Sequence, residues 1–281
     1  MAARESPMSL GPFGFTIDPD PEDDFLASAA EVEQLGFTTL WIVGGQLDRL
    51  DRLADLIHAT DRAVVGSAII PPDVYDAASV TAFFEGVEAV APGRLLVGLG
   101  SPHSDRPLTA LNHYVDQLDA AESPMPPHRR ILAAFGPRAL DVARDRFAGA
   151  MPALLTSDYV AVARDRLGPD RILSVGLYAV LDRDAGAARA TARQPLTFLR
   201  GLPPYVKSLR RQGFSDGGIA GLEDRLVDEL VAWGSPDDVA ERARQLRAAG
   251  ADHVHLTVLH DTQQPAGLGA ARLLAPALGI G

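Results

Sequence analysis

Along most of this chain one unit repeats: a short run of consecutive apolar residues, a break, then a stretch whose apolar residues recur every three or four positions. Short runs rich in β-branched residues have the character of strands. The longer stretches have the period of a helix with one buried stripe. Phe13 to Ile17 reads as a first strand and Thr38 to Val43 as a second. Ala63 to Ile70 is almost unbroken in apolar character, as expected of a strand buried on both faces. Leu95 to Leu99 makes a fourth, Arg130 to Ala134 a fifth, Ala153 to Leu155 a sixth, Ile172 to Leu181 a seventh, and His253 to Leu259 the last.

The helical stripes fall between them: Phe25, Ala29 and Val32; Leu47, Leu50, Leu53, Ala54 and Ile57; Val80, Phe83, Phe84 and Val87; Leu140, Ala143 and Phe147; Val239, Ala243 and Leu246. Their ends carry start and stop signals. Asp20-Pro21-Glu22-Asp23 and Ser235-Pro236-Asp237-Asp238 each offer a cap, a proline at the first helical position and acids in the first turn. Gly36 and Gly250 stand where helices stop.

Strands that alternate with helices pair in parallel through right-handed crossovers. Eight strands predict an α/β fold of the (β/α)8 TIM-barrel type rather than an open sheet. No Gly-x-Gly-x-x-Gly follows the first strand, which argues against a dinucleotide-binding sheet. Residues 1–281 read as a single barrel domain, and barrels routinely reach this length. Between the seventh and eighth strands, 183–234 is too long for one crossover. It reads as a helical insertion and a candidate lid over the barrel mouth, with an extra packing helix pair as the equal alternative.

Composition narrows the partners. The formal net charge of -11 disfavours nucleic acid and anionic membrane surfaces. Of 26 basic residues only Lys207 is a lysine. The absence of cysteine rules out disulfides, thiolate catalysis and cysteine-bound zinc. Met1 to Gly11 is polar, and no apolar run approaches the ~20 residues of a membrane span. The expectation is a soluble cytoplasmic protein, without nucleic acid or membrane as partner.

In a barrel the chemistry lies at the C-terminal strand ends. That selects Gly44-Gly45-Gln46, Ser67 to Pro72, Gly98 to Asp105 (including Gly100 and Ser101), Ala134 to Arg138, Thr156 to Tyr159, and the end of the last strand. Small residues before Pro71-Pro72, and glycines within Gly93 to Gly100, leave room for a flat ligand. Tight turning is the plainer explanation of each alone. Gly136-Pro137-Arg138-Ala139 opens a helix directly after a strand, where free N–H groups and the helix dipole favour an anion. His103, near Ser101 and Asp105, is a weak candidate for proton transfer beside the reading of an exposed loop histidine. His253, His255 and His260 lack the carboxylates of a metal site and read as structural. No metal is expected.

Taken together, Leu35-Gly36-Phe37 with Leu40-Trp41, Gly66-Ser67-Ala68-Ile69-Ile70-Pro71, Gly93 to Gly100, Ala133-Ala134-Phe135-Gly136-Pro137 and Gly250-Ala251-Asp252-His253-Val254 resemble the luciferase-like monooxygenase superfamily, and its coenzyme F420-dependent oxidoreductases in particular. The resemblance runs from about Phe13 to Leu259. It implies F420, or FMN in the flavin branch, across the strand ends and hydride transfer to or from a small organic substrate. It implies a non-proline cis peptide at Ala68–Ile69 against the ring. The phosphate would lie at Gly136 to Ala139, with Thr156 and Ser157 as hydroxyl partners, and the protein would be a homodimer. The sequence departs from relatives in two places. Gly44-Gly45 stands where several carry Asp-His or Glu, and Phe135 stands where a small residue is common. The first departure leaves open a non-catalytic flavin-binding barrel. An FMN-dependent monooxygenase using oxygen, and an unrelated barrel lyase with phosphorylated substrates, are further alternatives.

Overall fold

A computed structural model of the protein describes residues 8–19 and 24–281. The first half supplies β1 Phe13–Thr16, α1 Phe25–Gln34, β2 Thr39–Val43, α2 Asp51–Ala59, β3 Val64–Ala68, α3 Ala77–Val90, β4 Leu95–Leu99, α4 Pro107–Asp119 and β5 Arg130–Leu132. The second supplies α5 Pro137–Arg146, β6 Gly149–Ala150, α6 Ser157–Leu167, β7 Ile172–Val180, α7 Ala185–Leu199, α8 Pro203–Arg211, α9 Asp216–Gly221, α10 Asp224–Leu230, β8 Val231–Trp233, α11 Pro236–Ala248, β9 His253–Val258 and α12 Gly267–Leu278.

All pairings are parallel. β1 through β7 follow in order, β7 pairs with β9, and β9 returns to β1. Eight strands thus close the predicted TIM barrel, with the helices outside. The insertion carries α7 to α10 and also a short strand. β8 adds to the outer end of β7 at Tyr178 to Val180 and lies outside the barrel ring.

One strand differs from expectation. The sixth is Gly149–Ala150, four residues before Ala153 to Leu155. Pro152 has no N–H to give to a ladder, so Ala153 keeps only an isolated bridge to Gly176, and Leu154 turns to a positive φ. The Asp20 to Asp23 cap lies outside the described residues. α1 is opened by Asp24, whose carboxylate accepts from the Ala27 N–H at 3.1 Å. Ser235 and Asp238 form the expected reciprocal cap of α11.

The barrel interior is filled by large rings set against glycines. Trp41, on β2, and His253 and His255, on β9, all point inward and are buried. A Cβ on Gly66 would overlap the Trp41 ring. One on Gly14 would lie 2.6 Å from His253 Nε2, and one on Gly176 2.8 Å from His255 Nε2. The indole Nε1–H donates to His253 Nε2 at 3.1 Å, so the His253 proton must sit on Nδ1, which donates to the Gly11 carbonyl at 2.8 Å. Ser174 Oγ pairs with His255 Nδ1 at 3.1 Å. Burial holds the two histidines neutral, lowering their pKa values to about 4 for His253 and about 3 for His255.

The insertion has its own apolar core, built from Val180, Ala188, Leu196, Leu209, Phe214 and Leu226. Arg189 ties α7 to α10 through Asp228 at 2.6 Å.

Two measurements follow from this packing. Gly66→Val should lose about 1–3 kcal/mol in urea unfolding, because the new methyls overpack the indole. Gly86→Ala, on the open face of α3, should gain about 0.5–1 kcal/mol. Acid should also unfold the protein early. The unfolded chain binds protons at both histidines near pH 6.5, whereas the folded chain binds them only near 4 and 3. Stability is therefore complete above pH 6.5 and falls as pH drops below it, by about 2 kcal/mol per histidine by pH 5. Unfolding curves between pH 7 and 5 check this, and His255→Gln should lose about half the slope.

Candidate functional site at the strand tips

Parallel closure puts every C-terminal strand end on one rim. β3, β4 and β5 are neighbours there, so the tip of β3 and the tip of β5 lie two strand spacings apart, about 10 Å. Between them the main chain is continuous. Ile70 N–H donates to Gly98 O at 2.7 Å, and Ala133 N–H to Leu99 O at 2.9 Å.

The first part of the site is glycine main chain packed closely on Ile69. The Ala68–Ile69 bond is cis. A Cβ on Gly44, just past β2, would run into the Ile69 carbonyl, and one on Gly100, just past β4, would come within 2.5 Å of Ile69 Cδ1. Position 44 therefore has a steric reason to be glycine. Gly45 has open space around it. Not every small residue here serves the mouth. Ser67 is buried and stitches β3 to β4, donating to Gly98 O at 3.0 Å and accepting from Gly98 N–H at 2.8 Å. The space over Gly98 is taken by Ser67 O and Met151 Sδ.

The second part is the start of α5. Ala134 is buried and leads into the half-exposed Phe135. Gly136 is the N-cap and offers no side chain, and Pro137 is the first helical residue. The first helical bond runs from Leu140 N–H to Gly136 O, leaving the N–H groups of Arg138 and Ala139 without helical acceptors. The Arg138 side chain is exposed. A second guanidinium arrives from the insertion: Arg211 Nη1 lies 3.0 Å from where a Gly136 Cβ would stand, and its charge acts on the Tyr159 hydroxyl.

α8 is fastened to this corner. The Phe135 and Tyr205 rings are 4.7 Å apart. Gln212, just past α8, accepts from the Thr156 N–H at 2.8 Å and donates to Leu154 O at 3.1 Å. The Thr156 hydroxyl caps α6 by accepting from the Tyr159 N–H at 3.3 Å, and Ser157 opens that helix. Burial raises the pKa values of Tyr178 and Tyr205, so both hydroxyls stay protonated.

Ser101 and His103 follow β4. His103 donates its backbone N–H to Asp73 Oδ2 at 2.8 Å, and its Nδ1 lies 2.7 Å from the same oxygen. The Asp73 carboxyl is held below the usual carboxylate range, chiefly by that backbone N–H and then by the ring. At the end of β1 and β9, Thr16 and Thr257 join hydroxyl to hydroxyl at 2.8 Å. Asp73, Tyr205, Arg211 and Gln212 escaped sequence reasoning. Asp73 lies beside the marked Pro71-Pro72, and the other three lie inside 183–234, marked only as a whole as a candidate lid. Arg211 and Gln212 come from an insertion far away along the chain, and nothing local marks them.

Two cavities of about 340 Å³ lie elsewhere. One, bordered by Leu10, Pro12, Ile172, Arg247 and His253, opens at the opposite end of the barrel. The other is a groove between α5 and α6, bordered by Pro137, Leu140, Tyr159 and Val162.

No protein-family model matches this chain, and no curated protein does. Solved structures do. The F420-dependent tetrahydromethanopterin reductase of Methanopyrus kandleri superposes with a TM-score of 0.70 at 17% identity, covering 96% of this chain and 98% of its own. An F420-dependent secondary alcohol dehydrogenase superposes at 0.68 and 13%, covering 95% and 99%. The oxygenating constituent of 3,6-diketocamphane monooxygenase from Pseudomonas putida, solved with FMN, superposes at 0.62 and 14%, covering 95% and 98%. This is the luciferase-like monooxygenase fold. Both F420 and FMN proteins carry it, and they match this chain over nearly their full length. Among the described residues no helix is long and apolar enough to cross a membrane.

The steric reading of position 44 has a direct check. Gly44→Ala should lower stability by about 1–3 kcal/mol, because the Ile69 carbonyl cannot yield without moving the β3 tip. Gly45→Ala should leave Tm within a degree or two. Equal melting curves for the two variants would show that the Gly44 contact is not tight.

Proposed function

We propose that the protein is an oxidoreductase that holds a flavin-type cofactor across the tips of β2 to β5 and transfers hydride between it and a small organic substrate. F420 is the preferred cofactor and FMN the alternative. The observation that carries the reading is the pairing of two features on one rim. A glycine-lined main-chain surface lies around Ile69, and an uncapped helix start with two guanidiniums lies about 10 Å away. The first suits a flat ring, and the second suits a phosphate. The residues present fit the group. Gly44, Ala68, Ile69 and Gly100 would bear the ring. Gly136, Pro137, Arg138, Ala139 and Arg211 would bear the phosphate, with the Thr156 hydroxyl still free to donate. The cofactor supplies the hydride chemistry when bound, and the protein sets position, dryness and field. The insertion acts as the lid, with α8 over the phosphate end. The preference for F420 takes support from two neighbours whose names include that cofactor. The FMN alternative takes support from the neighbour solved with FMN.

The test is equilibrium titration of the protein with F420 and, separately, with FMN, followed by cofactor fluorescence. F420 should bind more tightly. Arg211→Gln and Arg138→Gln should each weaken binding about tenfold, the loss of one charge-assisted contact at ~1.4 kcal/mol. Failure to bind either compound would overturn the proposal and favour a barrel that acts on other phosphorylated ligands.

A further inference from the structure

The barrel interior ends at the mouth in two unlike halves. Side chains alternate along a strand, so the residues two positions on from the buried rings and glycines form the next layer up. On or just past β2, β3, β5 and β6 that layer is Val43, Ala68, Ala133 and Ala153, small and apolar. On β7, β9 and β1 it is Tyr178, Thr257 and Thr16. Each of these is partly open, and the residue two positions before each is buried. The second half is a continuous row. Register sets Tyr178 beside Thr257, and Thr257 meets Thr16 hydroxyl to hydroxyl at 2.8 Å. Tyr205 reaches the same place from α8. It packs with Tyr178 and Ala153 against the apolar core of the insertion, and Tyr178 acts electrostatically on its hydroxyl. Round the ring of strands, β7 stands opposite β3 and β9 opposite β4. The row therefore faces the main-chain surface around Ile69 across the mouth.

The hydroxyls of this group are short of partners. Of the five tyrosines, Tyr75, Tyr114 and Tyr159 donate to the carbonyls of Leu47, Tyr75 and Phe135. Tyr178 and Tyr205 have no hydrogen-bond acceptor among the described residues, although burial keeps both protonated. Between Thr16 and Thr257 one hydroxyl donates to the other, so one proton is left over for a third group. An unpaired donor away from water is costly, and a ligand oxygen that accepts from it removes the cost. None of the four side chains is charged. Asp182, just past β7, is occupied by Gln264 Nε2 at 2.9 Å and by the Asp184 N–H at 2.9 Å. His260, past β9, is exposed and turned to the Asp261 carbonyl.

We propose that the row Tyr178–Thr257–Thr16, with Tyr205 above it, is the specificity-determining half of the mouth, and that it selects an uncharged, ring-bearing compound by donating to its acceptor oxygens. The ring follows from Tyr178, Tyr205 and Phe135, whose flat faces border the space; the last two lie 4.7 Å apart. The lack of charge follows from a floor that offers donors and no counter-ion, where an ionic group would lose its water without gaining a partner. The small apolar half opposite leaves the cofactor ring its place. That the bound compound is a substrate rests on the proposed oxidoreductase reading, and the experiment keeps the two apart.

The experiment follows binding by ligand-observed NMR, first on the protein alone and then with saturating F420 or FMN. The probes are coumarin, chromone and tetralone, with tetralin as a ring without oxygen and naphthoate as a charged ring. The three oxygenated compounds should bind, and tetralin and naphthoate should bind about tenfold more weakly. Tyr178→Phe and Thr257→Val should each weaken the oxygenated compounds about fivefold, the loss of one hydrogen bond, and leave tetralin unchanged. Both variants should bind F420 and FMN as wild type does. Without ligand, Tyr178→Phe should leave Tm in place, because no bond within the protein is lost. Tyr114→Phe, which loses its bond to the Tyr75 carbonyl, should lower it. Wild type that binds coumarin but neither cofactor overturns the oxidoreductase reading and leaves the row supported. Naphthoate bound as tightly as tetralone, wild-type affinity in both Tyr178→Phe and Thr257→Val, or no binding of any oxygenated probe overturns the row's role.

Discussion

The hydrogen bond from His253 Nδ1 to the Gly11 carbonyl holds the last barrel strand to the first. Its partner on the other side of the ring is the indole of Trp41, so one imidazole links β9, the chain entering β1, and β2. This works only because the neighbouring strands give way. Going round the barrel from β3 to β7, the interior carries Gly66, Trp41, Gly14, the His253–His255 pair and Gly176. Large rings alternate with bare backbone, the layering that fills a barrel of eight strands. The cost is that two basic side chains are kept neutral in the core, and this makes the barrel sensitive to acid.

That closure is what gives the mouth its shape. With β9 locked to β1, the tips of β2, β3 and β4 have a fixed height, and glycines let them meet at Ile69. The α5 start follows from β5 on the same rim. The insertion then supplies what the barrel lacks. It has its own apolar core, and α8 and the residue after it bring Tyr205, Arg211 and Gln212 onto the corner where α5 and α6 begin. A charge needed at the helix start thus comes from a segment far away in sequence.

Much of the fold was legible because its signals are local. Consecutive apolar residues at 63–70 and stripes such as Val80-Phe84-Val87 mark their elements without reference to anything else. The sixth strand was misplaced because its two paired residues, Gly149 and Ala150, have no strand character, while the apolar Ala153 to Leu155 lie beyond the proline that ends the pairing. β8 was hidden inside the insertion for a similar reason: three residues carry no period. At the strand tips, the strand-end rule selected whole loops, but it could not sort the residues within them. Ser67 looked like a ligand contact and is an interstrand stitch. Gly98 looked like open space and is filled by Met151. Arg211 carries no local mark because its role depends on a helix packing across the mouth.

A crystal structure grown with coenzyme F420 tests the central claim most directly. The account predicts the ring lying over Ala68–Ile69 between Gly44 and Gly100, with a phosphate oxygen in hydrogen-bond reach of the Arg138 or Ala139 N–H and of Arg211. Density for the cofactor in the cavity beside His253 at the far end of the barrel, or in the α5–α6 groove, with the strand tips empty, would contradict it.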